Sequence, residues 1–194
     1  MKNATKEKLI KTGAKAMLAK SYHAVGIQEI VKEADVPKGS FYHYFDSKEA
    51  FGVAIIEYYG EYLAKLIAEK LSDDRYSPRE RIRNYFLGIR DYYNVHGCGR
   101  GCLVAKLAME VENPSPAMVD ALRREFKRWT MLFSVCIEEG QKKGEISPDN
   151  EAQTMAEFLY TSWEGALVGM QVNRDLRPVE KFIDALDQIM PKQG

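Results

Sequence analysis

The chain has 194 residues, no net formal charge, 45% hydrophobic residues and three cysteines, enough for one large packed domain or two small ones. No run of about 18 apolar residues exists, which excludes a membrane-spanning helix. Met1 to Lys11 is charged with no apolar stretch after it, so no secretory leader is expected, and an odd cysteine count points to a reducing cytoplasm rather than a disulfide framework.

Nearly every segment reads as helix, with no sustained two-residue alternation and no Asn-Gly or Asp-Gly hairpin signal. Thr5 is positioned to cap a first helix running to about Ala19, with Leu9, Ile10, Ala14, Met17 and Leu18 on its apolar face. Ile27 to Glu33 forms a short helix after Gly26, and Asp35-Val36-Pro37 forms a turn. Gly39 to Tyr44 forms a second short helix, and Ser47 caps a long one whose apolar face carries Phe51, Ile55, Tyr58, Tyr62 and Leu66. Ser77-Pro78 opens a helix to about Tyr93. Further helices are expected over Cys102–Val111, about 117–140 with stops at Gly140 and Gly144, about 149–173, and from Pro178 to about Met190. Asn113 to Pro116 separates the first two of these, and there are no internal repeats.

The zero net charge conceals an asymmetry. Residues 1–50 hold nine Lys/Arg against six Asp/Glu, and the remainder holds 19 against 22. A basic head on an acidic body fits a polyanionic partner for the head. Two short helices joined by a tight turn fit a helix-turn-helix, whose second helix enters the major groove of DNA. That second helix is "KGSFYHYF", Lys38 to Phe45. Gly39 lets the backbone approach a phosphate, while Lys38, Ser40, Tyr42, His43 and Lys48 offer cations and hydroxyls. Phe41 and Phe45 are expected to point inward. No G-x-x-x-x-G-K-[ST], G-x-S-x-G or H-E-x-x-H motif occurs, so no catalytic residues are assigned.

The stretch "IQEIVKEADVPKGSFYHYFDSKEAF" resembles the DNA-binding signature of TetR-family transcriptional regulators, with its K-G-[ST]-[LF]-Y-x-[YH]-F core followed by x-[ST]-K-[ED]. The DNA-contacting set is then Gln28, Lys38, Gly39, Ser40, Tyr42, His43, Tyr44 and Lys48. Family members often cap the first motif helix with threonine. Val25-Gly26 stands there in this chain, so a usual phosphate-contacting hydroxyl is missing. The resemblance implies a homodimer of Ω-shaped subunits, with a helix-turn-helix domain over 1–48 and a helical sensing and dimerisation domain over 49–194. It implies double-stranded DNA with a near-palindromic operator as partner, and the helices over about 149–173 and 178–190 as the dimer bundle. Recognition helices would lie about 34–36 Å apart, or a multiple of that.

A regulator of this type must sense something. Tyr92, Trp129, Phe133, Trp163 and Met170 are candidates to line a pocket for a lipophilic molecule, or they are simply core. "HGCGRGCL", residues 96–103, admits several readings. His96, Cys98 and Cys102 are too few for a structural zinc, so no metal or cofactor is assigned. A Cys98–Cys102 disulfide would be regulatory at best. A catalytic cysteine lacks a fixed base. Cys102 falls at a helix start, with Arg100 before it and Lys106 one turn later, a setting that favours thiolate; Glu110, one turn beyond Lys106, is alternatively placed to hold that lysine away, and the plainer reading of Cys102 is a small buried hydrophobe. "GCLVAKLAMEV" also resembles the NemR-type subgroup, repressors that respond to electrophiles and reactive chlorine through a cysteine at the position of Cys102. A lysine that partners this cysteine in the subgroup aligns with Gln171 here, which leaves Cys98 as the nearest second thiol. The expected sensing set is Cys102, Cys98 and Lys106. The expected function is a cytoplasmic repressor released by modification of Cys102 or, alternatively, by non-covalent capture of a lipophilic inducer.

Overall fold

The computed structural model describes residues 2–110 and 115–192. Among them the secondary structure is helical throughout: α1 (Lys2–Ala19), α2 (Ile27–Glu33), α3 (Lys38–Tyr44), α4 (Lys48–Leu71), α5 (Pro78–His96), α6 (Leu103–Glu110), α7 (Pro116–Lys142), α8 (Ala152–Asn173), α9 (Arg177–Asp184) and α10 (Leu186–Ile189). The all-α expectation therefore holds. The chain divides into two compact units, residues 1–62 with 102–125, and residues 63–101 with 126–194. The boundary expected at 48/49 falls inside the first unit, which runs on through α4 to Tyr62 and also takes in α6 and the start of α7.

Several helix ends differ from expectation. Thr5 lies inside α1 rather than capping it. Gly140 lies inside α7, where a Cβ would come within 2.7 Å of Ile146 Cδ1; the stop is Gly144, at φ 72. α8 starts at Ala152 because Ser147 and Asp149 hydrogen-bond each other and Gln141 binds the carbonyls of Ser147 and Asn150. The last helix breaks at Ala185, whose carbonyl accepts from Gln188 as well as Ile189 and so tightens the turn. The expected end at Val111 and the Asn113-Pro114 break lie outside the described residues.

The first unit is built around Leu9, Met17, Ile30, Phe41, Phe51, Ile55 and Ile56, all inaccessible to solvent. Leu103 and Leu107 of α6 and Met118 and Ala121 of α7 belong to the same core. Burying large side chains of this kind stabilises by roughly 1.5–3 kcal/mol each. α6 is thus part of the head's interior.

The second unit has an aromatic centre. Phe86 sits 4.9 Å from Trp163, 4.9 Å from Phe182 and 5.6 Å from Phe133. α5 starts with a capping box in which the Ser77 hydroxyl accepts from the Glu80 amide and the Glu80 carboxylate accepts from the Ser77 amide, with Pro78 in the first turn. Buried Arg81 donates to the carbonyls of Asp73 and Tyr76, each at 2.8 Å, and to Glu139 at 2.8 Å, tying the α4–α5 turn to α7.

Candidate nucleic-acid interface and sensing helix

The turn between α2 and α3 is a Schellman motif. The Val36 amide donates to the Val31 carbonyl and the Asp35 amide to the Lys32 carbonyl, with Asp35 in the left-handed region at φ 49. Pro37 follows at φ −59 and ψ 144, an extended residue that turns the chain directly into α3. The rotation of α3 is then set by packing. Phe41 and Phe45 are buried against Phe51, with ring centroids 5.1 and 4.8 Å away. This leaves Lys38, Gly39, Tyr42 and His43 exposed on the opposite face, with Ser40 and Tyr44 half-buried. Gln28 is exposed on the first turn of α2. A Cβ at Gly39 would touch nothing, so the fold does not itself require glycine there.

Lys48 is less free than the other members of this set. Its ammonium lies 4.7 Å over the Tyr22 ring and donates to the His23 carbonyl at 3.5 Å. Burial there pushes its pKa below the ordinary lysine value.

Cys102 immediately precedes α6, and its carbonyl accepts the Lys106 amide at 3.0 Å. The residue is 8% exposed, beside Leu103, which is inaccessible. The Lys106 ammonium is directed elsewhere, to the carbonyls of Leu18 at 2.9 Å and Lys20 at 2.8 Å, with Glu110 at 3.8 Å. Glu110 accepts the Tyr22 amide at 2.7 Å through its carboxylate, and its carbonyl accepts from His23 Nε2 at 2.9 Å. The i,i+4 spacing of Lys106 and Glu110 is visible in the sequence; their backbone partners in the α1–α2 turn carry no sequence signal.

In the second unit, α5 ends at Gly97, at φ 86. The next glycines are places of close approach. A Cβ at Gly99 would lie 2.9 Å from the Arg174 guanidinium, and one at Gly101 would overlap the Gln171 amide. Cys98 is half-buried, and none of the three cysteines is joined in a disulfide. Cys136 is buried in α7, donates to the Pro78 carbonyl at 3.4 Å, and has its pKa pushed up to about 12 by burial. His96 stacks on Tyr92 at 4.3 Å and donates from Nδ1 to the Tyr92 carbonyl. Among the described residues, no group of three or more His, Cys, Asp or Glu side chains is placed to hold a metal, and no helix is long and apolar enough to cross a membrane.

The five pocket candidates are not brought to one place. Trp129, Phe133, Trp163 and Met170 are buried within the second unit, whereas Tyr92 is 56% exposed beside His96. A separate cleft of about 580 Å³ is lined by Arg79, Arg83, Glu145, Asp187 and Lys192 among others; its charges of both signs are spread over segments far apart in the chain.

The protein-family comparison matches residues 9–55 to "Bacterial regulatory proteins, tetR family" and residues 78–186 to "Tetracyclin repressor-like, C-terminal domain". The HTH-type transcriptional repressor NemR of Escherichia coli (strain K12) is 35% identical over 187 residues, covering 96% of this chain and 94% of NemR. The HTH-type transcriptional repressor DhaR of Mycobacterium sp. (strain GP1) is 34% identical over 178 residues, covering 92% and 88%. The crystal structure of the reduced form of E. coli NemR matches with TM-score 0.89 at 31% identity, over 98% of this chain and 99% of that one. Regulatory protein TetR from Rhodobacter sphaeroides matches with TM-score 0.88 at 33% identity, over 95% and 97%. A basic-faced helix-turn-helix, an all-helical body and these full-length relatives agree: the chain belongs to the TetR family of bacterial transcriptional regulators and is not an enzyme.

Proposed function

We propose that this regulator is a homodimeric repressor that grips a near-palindromic operator through α3 and lets go when an electrophile or oxidant modifies Cys102. The observation that carries the reading is the placement of Cys102. It is an almost buried thiol at the start of a helix whose Leu103 and Leu107 belong to the core of the DNA-binding head. Anything added to that sulfur needs room that a close-packed core does not have. α6 must then shift, and the head that shares its core shifts with it. With an α,β-unsaturated carbonyl compound, the Cys102 thiolate forms a C–S bond at the β-carbon and the α-carbon takes a proton from water. The NemR relative solved as its reduced form is a protein with a defined redox state, which fits the same reading.

On the DNA side, Gly39 offers bare backbone at the start of α3, flanked by Lys38, Ser40, Tyr42 and His43, with Gln28 on α2 and Lys48 behind. For the dimer, α8 presents an exposed stripe of Thr154, Phe158, Thr161, Gly165, Val168 and Val172, spaced alternately four and three residues. Phe158 is 61% exposed and Val172 76%, apolar area that a second α8 would cover.

The second reading, non-covalent capture of a lipophilic inducer, draws on the aromatic interior of the body around Trp129, Phe133 and Trp163. One experiment separates the two. A DNA fragment from the gene's own upstream region is titrated with protein before and after treatment with N-ethylmaleimide or hypochlorous acid. Loss of binding in the wild type and its retention in Cys102→Ser is the expected result. Equal release of both proteins would overturn the thiol reading.

A further inference from the structure

The C-terminus of α1 lacks a basic residue of its own in its last turn. The last carbonyls of any helix have no intrahelical donor and need an outside partner. Here the partner comes from α6: the Lys106 ammonium donates to the carbonyls of Leu18 and Lys20 at 2.9 and 2.8 Å. One turn later on α6, the Glu110 carboxylate accepts the Tyr22 amide at 2.7 Å and its carbonyl accepts from His23 Nε2 at 2.9 Å. Lys106 and Glu110, one turn apart on α6, therefore bind Leu18, Lys20, Tyr22 and His23 of this connection. That connection in turn seats Lys48, whose ammonium rests over the Tyr22 ring and donates to the His23 carbonyl. Gly52 on α4 is pressed by the same ring, since a Cβ there would come within 3.1 Å of Tyr22 Cε2.

We infer that Lys106 and Glu110 form a latch, a pair of positioning residues through which any displacement of α6 is passed to the α1–α2 turn and to Lys48. The bonds made by the Lys106 ammonium and the Glu110 carboxylate are charge-assisted and of short reach, so the turn follows α6 until they break. In the sequence, Lys106 reads as a cation that activates the Cys102 thiol. In the structure its charge is used one step downstream, in relaying the position of α6. The inference rests on Cys102 as the trigger for its biological use, but the latch itself is testable without the thiol.

Two measurements on the full-length protein test it. In the first, the dissociation constant for the upstream DNA fragment is measured before and after N-ethylmaleimide. The ratio is compared across wild type, the Lys106→Met/Glu110→Ala double variant, which removes both side-chain partners, and Lys106→Arg. The wild-type ratio is expected to be about tenfold or more, within the range of ordinary allosteric coupling. It should fall below about threefold in the double variant and recover in Lys106→Arg, which can still donate to both carbonyls. A merely structural role would weaken binding equally in both states and leave the ratio unchanged, and that result overturns the latch. In the second, hydrogen exchange of amides 20–25 is followed in untreated protein. The double variant should speed their exchange by about tenfold while α3 amides keep wild-type protection. Unchanged exchange at 20–25 overturns the latch whatever the thiol does. A wild-type ratio near one sinks the Cys102 reading instead, and the latch is then decided by exchange alone.

Discussion

Cys102 and Cys136 are both buried, yet they belong to different kinds of region. Cys136 lies in the last third of the 27-residue α7, within the body, beside Pro78 and near the Arg81–Glu139 pair. Cys102 immediately precedes the eight-residue α6, whose apolar side is core to the head and whose polar side is bound to the α1–α2 turn. A thiol embedded in a long helix has nothing nearby that can move as a unit. A thiol at the start of a short helix attached by two residues has a lever. The two units differ in what closes them: the body centres on an aromatic cluster around Phe86, and the head on an apolar core to which α6 contributes Leu103 and Leu107.

The contrast can be tested at several strengths. Phe86 touches Phe133, Trp163 and Phe182, so Phe86→Ala should destabilise the body by about 3–5 kcal/mol in urea unfolding followed by tryptophan emission. A loss below about 1 kcal/mol would mean that the aromatic centre is not what holds the body. On the head, Tyr42→Ala with Lys48→Ala should cut operator affinity by about a hundredfold and flatten its salt dependence. Unchanged affinity would remove α3 from the interface. Between the thiols, Cys136→Ser should still be released from DNA by N-ethylmaleimide as the wild type is, whereas Cys102→Ser should resist by about tenfold. The reverse order would move the sensor into the body.

Asp35→Val places a β-branched residue at φ 49 and should cost about 1–2 kcal/mol in the head, while Asp35→Gly should be neutral or better. Thermal unfolding of both variants checks this. The smallest effect concerns acid. Hydrogen bonds hold the Asp73 carboxyl down to about 2 through Arg75, and hold Glu80, Glu139, Asp175 and Asp187 below the usual range through Ser77, Lys143, Arg177 and Arg79. All five lie in the second unit. A carboxyl whose folded pKa is depressed contributes stability above its unfolded value near 4 and loses it as pH falls toward the folded value. The body should therefore loosen first between about pH 4 and pH 2, modestly because these pairs are largely exposed. Trp129 and Trp163, the chain's two tryptophans, both report on the body, so their emission should shift before head amides lose protection. Simultaneous loss would deny the two units separate electrostatics.

Much of the head is legible in the amino-acid sequence. Asp35-Val36-Pro37 reads as a turn because proline disfavours helix in the residue before it and suits the start of the next one, and Phe41 and Phe45 read as inward anchors. In the body, the start of α5 at Ser77-Pro78 is equally local. The division of the body is not legible in the same way. Tyr92 and Trp129 look alike as aromatics in a helical chain, but one stacks on His96 at the surface and the other is 1% exposed. The break at Ala185 depends on a single tightened turn that composition does not signal.

Local chemistry alone specifies the helices, the helix-turn-helix and the polar face of α3, because each depends on residues within a few positions of one another. Tertiary structure decides which core α6 joins and what Lys106 does. The carbonyls that receive that ammonium lie 88 and 86 residues away and belong to backbone, which every residue carries alike. Side-chain identity therefore holds no record of the pairing, and only the fold of α6 against α1 brings it about.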